Sequence, residues 1–192
     1  MPDPQPALPF LFTLLPVLPG IRLMRWVNTY IYTYIQAGFV MEEVIRNLFI
    51  GERDDWVRGR PDWAVIHAEK GVHRTYLEER RLAFREAVPS PDGKELYLAF
   101  EDARRMGPVN TRCIRPALEF AHRHLASGRK VLIHCIAGLS RSPAIAMLYL
   151  LCYTDLLPRT NIFDAIFSFS EIYPSTTRTT ASFRTPRGFW RR

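Results

Sequence analysis

Nine residues in the second half of the chain have the order expected of an anion-binding loop that contains a nucleophile. They run from His134 to Ser142 and read HCIAGLSRS. The loop follows an apolar stretch, residues 130–134, and precedes a second apolar run that begins at Ser142 and Pro143. This pattern predicts a strand, a short loop and the start of a helix, an arrangement that directs several backbone N–H groups at one point. The sequence therefore predicts a cradle for an anion.

Cys135 is the predicted nucleophile of this loop. A cysteine in the positive field of a helix N-terminus has a pKa of about 3.5–7.5 instead of about 8.5, so it reacts as a thiolate. Arg141 can bind two phosphate oxygens at once through its planar guanidinium, and Gly138 permits a positive φ or a close approach of the backbone to the anion. Ser142 can offer its hydroxyl to the sulfur. A cysteine alone is more often an inert core thiol, so the prediction depends on this combination.

The elements around the loop predict an α/β fold, with a central mixed sheet flanked by helices. Strands are predicted at residues 44–51, 63–68, 96–100 and 130–134. Helices are predicted from an N-cap at Asn110 or Thr111 to Leu125, with Pro116 awkward unless it lies in the first turn, then over residues 142–153 and over residues 161–172. The charged residues 69–86 have too few apolar positions to define an element, and we expect them at the surface.

Charge and cysteine content exclude two classes of protein. The net charge is +7, but the last seventeen residues hold five arginines and no acid, so little of the excess lies on the folded part. We therefore expect no nucleic-acid partner, because such proteins carry a basic patch on the folded surface. The three cysteines, Cys113, Cys135 and Cys152, are too few to cross-link a fold. A reducing compartment is favoured, and we expect a cytoplasmic protein.

The chain of 192 residues predicts one catalytic domain at residues 41–175. Residues 1–40 form an apolar, proline-rich N-terminal extension, and residues 176–192 form a basic Ser/Thr/Arg tail that we expect to be disordered. The apolar run at residues 7–18 is too short to span a bilayer and lacks the positively charged start of a signal peptide. Membrane contact through it is an alternative that is not favoured, and the sequence does not define an oligomeric state.

The loop resembles the HCxxGxxR signature of the cysteine-dependent protein tyrosine phosphatases, and HCIAGLSRS is most similar to their dual-specificity branch. The likeness covers about residues 44–174. It implies a protein tyrosine phosphatase-like fold and a phosphatase that hydrolyses phosphotyrosine, and possibly phosphoserine or phosphothreonine, through a cysteinyl-phosphate intermediate. It implies Cys135 as nucleophile, Arg141 as phosphate clamp and Ser142 as the hydroxyl that helps the thiolate depart. No cofactor or metal is expected.

The resemblance also assigns roles to the rest of the loop. His134 supports the loop through a hydrogen bond. The residues of the Cys-x5-Arg phosphate-binding loop that surround the phosphate are Ile136, Ala137, Gly138, Leu139, Ser140 and Arg141.

Members of this family usually have an aspartate about thirty residues upstream of the cysteine. Asp102 fits that position, because it lies 33 residues before Cys135, just after a predicted strand. Its carboxyl group would protonate the leaving oxygen, a contribution of typically about 10²–10⁴-fold. Glu101 is an alternative acid, although the alternation of an extended chain directs it to the other side.

Two other functions stay open. One is the same mechanism on a non-protein phosphate ester, either a phosphoinositide or an RNA 5′-phosphate. The uncharged loop interior disfavours a polyanionic head group, and RNA-directed relatives do not usually rely on the upstream aspartate. The other is a phospho-binding pseudophosphatase, which is disfavoured because both Cys135 and Arg141 are present.

Overall fold

A six-stranded mixed sheet forms the centre of the computed structural model, which describes residues 41–57, 61–102 and 107–174. The strands are β1 Glu42–Ile45, β2 Leu48–Gly51, β3 Ala64–His67, β4 Ala87–Pro89, β5 Glu95–Leu98 and β6 Val131–His134. Their order is β1-β2-β6-β3-β5-β4; the four inner strands are parallel and the two edge strands antiparallel. Strands β2, β3 and β6 are buried along their whole length, as continuous apolar runs in a covered parallel sheet should be.

Helices cover both faces of this sheet. They are α1 Arg53–Val57, α2 Lys70–Arg80, α3 Pro108–Ala126, α4 Arg141–Tyr153 and α5 Ile162–Ile172. The main core joins the sheet to α3, α4 and α5, whereas α2 packs in a smaller cluster with Tyr97 of β5. Leu96 and Leu98 belong to the main core, so successive residues of β5 point to opposite faces. The predicted fold class, a central mixed sheet flanked by helices, is confirmed.

The predicted strand at residues 44–51 is wrong in one respect, because the structure divides it into the hairpin of β1 and β2. Ile45 pairs with Leu48, and the chain reverses between them. Asn47 has a φ of 68°, a left-handed conformation that asparagine tolerates better than most residues. Its N–H donates to Oε1 of Glu43 at 2.7 Å, which closes the turn.

The charged stretch at residues 69–86 is not merely surface, because most of it forms α2. His73, Tyr76 and Leu77 are buried at helical spacing and face the sheet. The charged residues between them lie on the exposed side, and three buried positions in eleven were too few to reveal the helix by periodicity.

Helix α3 begins earlier than expected. Its N-cap is Gly107 and its first residue is Pro108, where the missing N–H of proline costs nothing. Pro116, which the sequence marked as awkward outside the first turn, lies inside the helix. Asn110 is buried within the first turn and is not a cap.

The predicted N-terminal extension, residues 1–40, and the whole predicted tail, residues 176–192, lie outside the described residues, as does Ser175. Within the residues that the structure describes, no helix is both long enough and apolar enough to cross a membrane.

Candidate active site

The loop between β6 and α4, residues 135–140, is called the cysteine loop below. Strand β6 lies between β2 and β3 at the centre of the sheet, so the loop stands at the carboxyl edge of the parallel strands, where α/β proteins commonly bind ligands. Gly138 has a φ of 67°, and a Cβ at this position would lie 3.2 Å from the carbonyl oxygen of Gly51. Both the backbone conformation and the close approach therefore require glycine.

Cys135 is buried, with 2% of its surface exposed. The Ser142 hydroxyl donates to its Sγ at 3.3 Å. Burial alone raises the pKa of the Cys135 thiol, but hydrogen bonds from the hydroxyl and amide of Ser142 oppose it. The charge of Arg141 and the amide of Gly138 also lower the pKa of Cys135, and the resulting pKa lies below the ordinary value of a cysteine thiol. The surroundings thus favour a thiolate.

Arg141 is the first residue of α4, and only 6% of its surface is exposed. Its Nε is buried and has no hydrogen-bond partner among the described residues. Its Nη2 lies 3.8 Å from Oδ2 of Asp102. A buried guanidinium with a donor that no described residue uses, close to a cysteine whose pKa is lowered, matches the chemistry of a bound phosphate, whose oxygens accept hydrogen bonds.

Asp102 lies at the cysteine loop, whereas Glu101 is directed away from it. Oδ1 of Asp102 accepts a hydrogen bond from the Ser140 hydroxyl at 3.2 Å. The carboxylate of Glu101 instead binds Nζ of Lys70 at 2.5 Å. The side chain of Asp102 is 62% exposed, so a substrate entering the loop can reach it.

Asn110 holds the backbone beside Asp102, a contact that the sequence did not reveal. Its Oδ1 accepts from the N–H of Glu101 at 2.8 Å, and its Nδ2 donates to the carbonyl oxygen of Glu101 at 2.9 Å. These two bonds fix the peptide groups on both sides of Glu101. The carboxylate of the next residue is thereby presented to the loop.

Three carbonyl oxygens of the cysteine loop are contacted from outside. Tyr173 donates its hydroxyl to the Gly138 oxygen at 3.0 Å, and the N–H of Arg53 donates to the Ile136 oxygen at 3.3 Å. Nδ1 of His134 lies 3.4 Å from the Cys135 oxygen. Because the C=O and N–H on either side of a peptide bond point in opposite directions, contacts that hold the oxygens outside leave the amides free to face an anion. No local signal in the sequence indicated Tyr173 or Arg53.

His134 is fully buried. Burial, reinforced by the nearby His67, lowers its pKa to about 3, so the ring is neutral at physiological pH. Its Nε2 lies 2.6 Å from Nδ1 of His67. The supporting role expected of His134 stays a prediction.

Cys135 differs from the other two cysteines in its acidity. Burial raises the pKa of Cys113 to about 12, and burial also raises the pKa of Cys152. All three are free thiols. Of these cysteines, only Cys135 has a lowered pKa.

In the described parts of the chain, no group of three or more His, Cys, Asp or Glu side chains is arranged to hold a metal ion.

Comparisons with known proteins match the chain to phosphatases. The family model described as "Dual specificity phosphatase, catalytic domain" matches residues 108–171. "Dual specificity protein phosphatase 22" of Mus musculus is 26% identical over 118 residues, which are 62% of this chain and 58% of the relative. "Tyrosine-protein phosphatase vhp-1" of Caenorhabditis elegans is 49% identical over 40 residues, 21% of this chain and 6% of the relative.

Among solved structures, the PTP-2 phosphatase of Cydia pomonella has a TM-score of 0.48 and 18% identity, and the superposition covers 76% of this chain and 83% of that chain. The chain spans only 58% of the length of its mouse relative.

The matched segment, residues 108–171, contains the cysteine loop, the helix before it and the helix after it. Cys135, Arg141 and Ser142 all lie within it. The resemblance indicated by the loop is confirmed, because this segment matches the model of the dual specificity phosphatase catalytic domain and the chain is similar to dual-specificity phosphatases.

Proposed function

We propose that this chain is a protein phosphatase that hydrolyses phosphotyrosine, and phosphoserine or phosphothreonine, through a cysteinyl-phosphate intermediate. The observation that supports the proposal best is the Cys135 thiol, whose pKa is lowered, together with Arg141 at the end of the loop, whose Nε has no hydrogen-bond partner among the described residues. A nucleophile and an anion clamp within one preformed loop are what covalent phosphoryl transfer requires.

In the first step, the Cys135 thiolate attacks phosphorus and forms the S–P bond while the P–O bond to the leaving group breaks. The loop amides and Arg141 bind the equatorial oxygens, where negative charge is concentrated in the transition state. Asp102 gives its proton to the leaving oxygen, which departs as an alcohol or phenol.

In the second step, water attacks the phosphocysteine and the S–P bond breaks. The Asp102 carboxylate takes a proton from the water, so phosphate is released and the acid is regenerated. The hydroxyl of Ser142, 3.3 Å from Sγ, stabilises the thiolate as it departs. Every group in this cycle returns to its starting state without a cofactor.

The charges around the loop support a phosphoprotein over a phosphoinositide. Two cations near the loop are already paired: Arg53 with Glu69 and Lys70 with Glu101. A head group with several phosphates would need further free cations beside Arg141. Within the described part of the chain these two cations are paired and the loop residues 136–140 are uncharged, which supports a single phosphate as the ligand.

The proposal extends to the organisation and location of the chain. We assign catalysis to residues 41–175, with residues 1–40 and 176–192 as accessory segments. The three free cysteines support a reducing compartment, so the proposed location is the cytoplasm. Phosphorylated proteins or peptides are the proposed partners.

The test is the release of phosphate from a phosphotyrosine and a phosphothreonine peptide, assayed in parallel with a chelator present. Wild type should turn over at least the phosphotyrosine peptide. Cys135→Ser should retain less than about a hundredth of wild-type turnover while still binding tungstate, because a hydroxyl is far less acidic than a thiol. Cys152→Ser is the matched control and should be fully active, since Cys152 lies outside the loop.

Arg141→Lys should be severely impaired, because a point charge cannot make the bidentate contact. Arg115→Lys, at an exposed ion pair with Glu119 on α3, should leave the rate unchanged. The proposal fails if wild type releases no phosphate from either peptide, or if Cys135→Ser keeps its rate.

A further inference from the structure

Two buried histidines face each other across the centre of the sheet, and one of them has no role in the mechanism above. His67 ends β3 and His134 ends β6, where they are paired in register. Both rings are fully buried, and Nδ1 of His67 lies 2.6 Å from Nε2 of His134. At this distance one nitrogen donates a proton and the other accepts it.

The direction of that hydrogen bond determines which tautomer His134 adopts. His134 is neutral, so its ring has one N–H. If His67 donates, the proton of His134 is on Nδ1, which faces the Cys135 carbonyl oxygen at 3.4 Å. If His134 donates instead, a bare nitrogen faces that oxygen, and two acceptors oppose each other. In the first arrangement both ring nitrogens of His134 face complementary partners, whereas in the second its bare Nδ1 opposes an acceptor, so the contacts of His134 favour the first.

The remaining contacts of His67 hold its ring in place. The ring stacks on Tyr97 with 4.3 Å between centroids and meets the edge of Trp56 at 4.8 Å. Its Nε2 lies 3.8 Å from Oε2 of Glu95, beyond hydrogen-bond distance, and Glu95 accepts a hydrogen bond from the Tyr97 hydroxyl. Within the described residues Nε2 has no hydrogen-bond partner. The hydrogen bond made by the ring is therefore the one from Nδ1 to His134.

We infer that His67 is a positioning residue for the cysteine loop: its Nδ1–H donates to His134 and holds that ring in the tautomer whose Nδ1–H faces the Cys135 carbonyl. A donor on this oxygen draws negative charge away from the backbone beside the sulfur and holds the oxygen on the outer side of the loop. The inference rests on the proposed function only in taking Cys135 as the nucleophile.

Two substitutions separate the two nitrogens of the ring. In His67→Asn, the amide nitrogen takes the position of Nδ1 and can still donate to His134. In His67→Gln, the amide nitrogen takes the position of Nε2 and faces Glu95 instead. Together, the two variants test the direction of the hydrogen bond between His67 and His134, and both keep a polar amide at this buried site.

The measurement is the rate at which iodoacetamide alkylates Cys135 in the full chain between pH 5 and 9, followed by mass spectrometry of the peptide that contains it. Alkylation reports the thiolate and needs no substrate. His67→Asn should follow the wild-type profile. His67→Gln should react about three- to tenfold more slowly at pH 6, the effect of losing one ordinary hydrogen bond.

A His→Gln control is available at His124, a buried histidine whose Nε2 contacts the Gly93 carbonyl oxygen at 3.0 Å. His124→Gln keeps a donor at that position and should leave the alkylation of Cys135 unchanged. Urea unfolding of every variant separates folding from positioning. Equal profiles for His67→Asn and His67→Gln, with stability lowered in both, would mean that His67 is structural only and would overturn the inference. Rapid alkylation of wild-type Cys135 without any phosphatase activity would contradict the proposed function and leave the inference intact.

Discussion

Replacing Tyr173 with Phe removes one hydroxyl and keeps the ring, so it tests how much the cysteine loop depends on an outside donor. The hydroxyl donates to the Gly138 carbonyl at 3.0 Å, and both residues are buried. A buried carbonyl left without a donor costs about 1–3 kcal/mol. Tyr173 is 35 residues from Gly138 along the chain, so the variant leaves the sequence of the loop unchanged.

That free energy must appear in one of two measurements. If the loop keeps its conformation, the carbonyl stays unpaired and the free energy of unfolding falls by about 1–3 kcal/mol. If the loop moves to hydrate the carbonyl, the anion-binding conformation becomes less populated, and the inhibition constant of phosphate rises by up to about 5- to 150-fold. We expect the second effect to contribute, because Ile136 and Ala137 on the outer part of the loop are exposed and can move.

The assays are phosphate inhibition of aryl phosphate hydrolysis and urea unfolding, measured on the same preparations. Tyr153→Phe is the control, because Tyr153 is partly exposed on α4 and stacks with His122 away from the loop. If Tyr173→Phe changes the inhibition constant by less than twofold and the free energy of unfolding by less than about 0.5 kcal/mol, the hydrogen bond makes no net contribution and the reasoning is refuted.

Three further predictions concern the acid, the glycine and the buried histidine. Asp102→Asn should lower kcat/KM little with a very acidic phenol as leaving group and about 10²–10⁴-fold with unactivated phenyl phosphate; the same dependence on the leaving group in Glu101→Gln instead would identify Glu101 as the acid. Gly138→Ala should lose at least about tenfold in kcat/KM, because a left-handed residue other than glycine costs about 1–2 kcal/mol and the new methyl is crowded. Gly93→Ala shares the φ of 67° but has no atom near its Cβ position, so its kcat/KM should be unchanged; an equal loss in both would show that the effect is not local to the loop. The free energy of unfolding should fall as the pH is lowered from 6.5 to about 3, because the folded pKa of His134 lies below its unfolded value and the unfolded chain takes up the proton first. Urea unfolding at pH 7, 5 and 4 measures this, and a free energy that does not decline would contradict it.

Most of the elements beneath the loop could be predicted because their signals are local. Strands β3 and β6 are short apolar runs, and α4 is apolar around its whole circumference with a proline in its first turn. Asn161 caps α5 by accepting from the N–H of Asp164, as the residue type at a helix start predicts. Each of these signals lies within the element that it specifies.

The hairpin of β1 and β2 and helix α2 were not predicted, because their signals are weak. Only Arg46 and Asn47 separate the two strands, and neither is glycine or proline. In α2 the exposed side is strongly charged, and the few buried residues owe their burial to the sheet beneath them. Tertiary contacts, absent from a local window, determine both elements.

The residues of the site likewise divide into those that a local sequence pattern indicates and those that only tertiary contacts bring to the loop. The loop residues follow one another in the sequence, so their combination could be recognised. Asn110, His67 and Tyr173 act on the site from residues distant in sequence: His67 is 67 positions from His134, and Tyr173 is 35 from Gly138. A hydrogen bond between distant residues leaves no spacing pattern in a single sequence. Only the fold brings these donors to the loop.

Donors outside the loop prepare its uncharged residues for the dianion that we propose it binds. Separate elements contact the Cys135, Ile136 and Gly138 carbonyl oxygens from outside: β6 through His134, α1 through Arg53 and the end of α5 through Tyr173. Because these contacts hold the amides in place before the substrate arrives, little reorganisation is needed when charge develops on the transferring group. The positive field then comes from oriented N–H groups and one guanidinium. In the proposed mechanism, the contribution of the loop to catalysis thus depends on residues that do not touch the substrate, and their substitution should weaken the binding of the phosphate and of the transition state together.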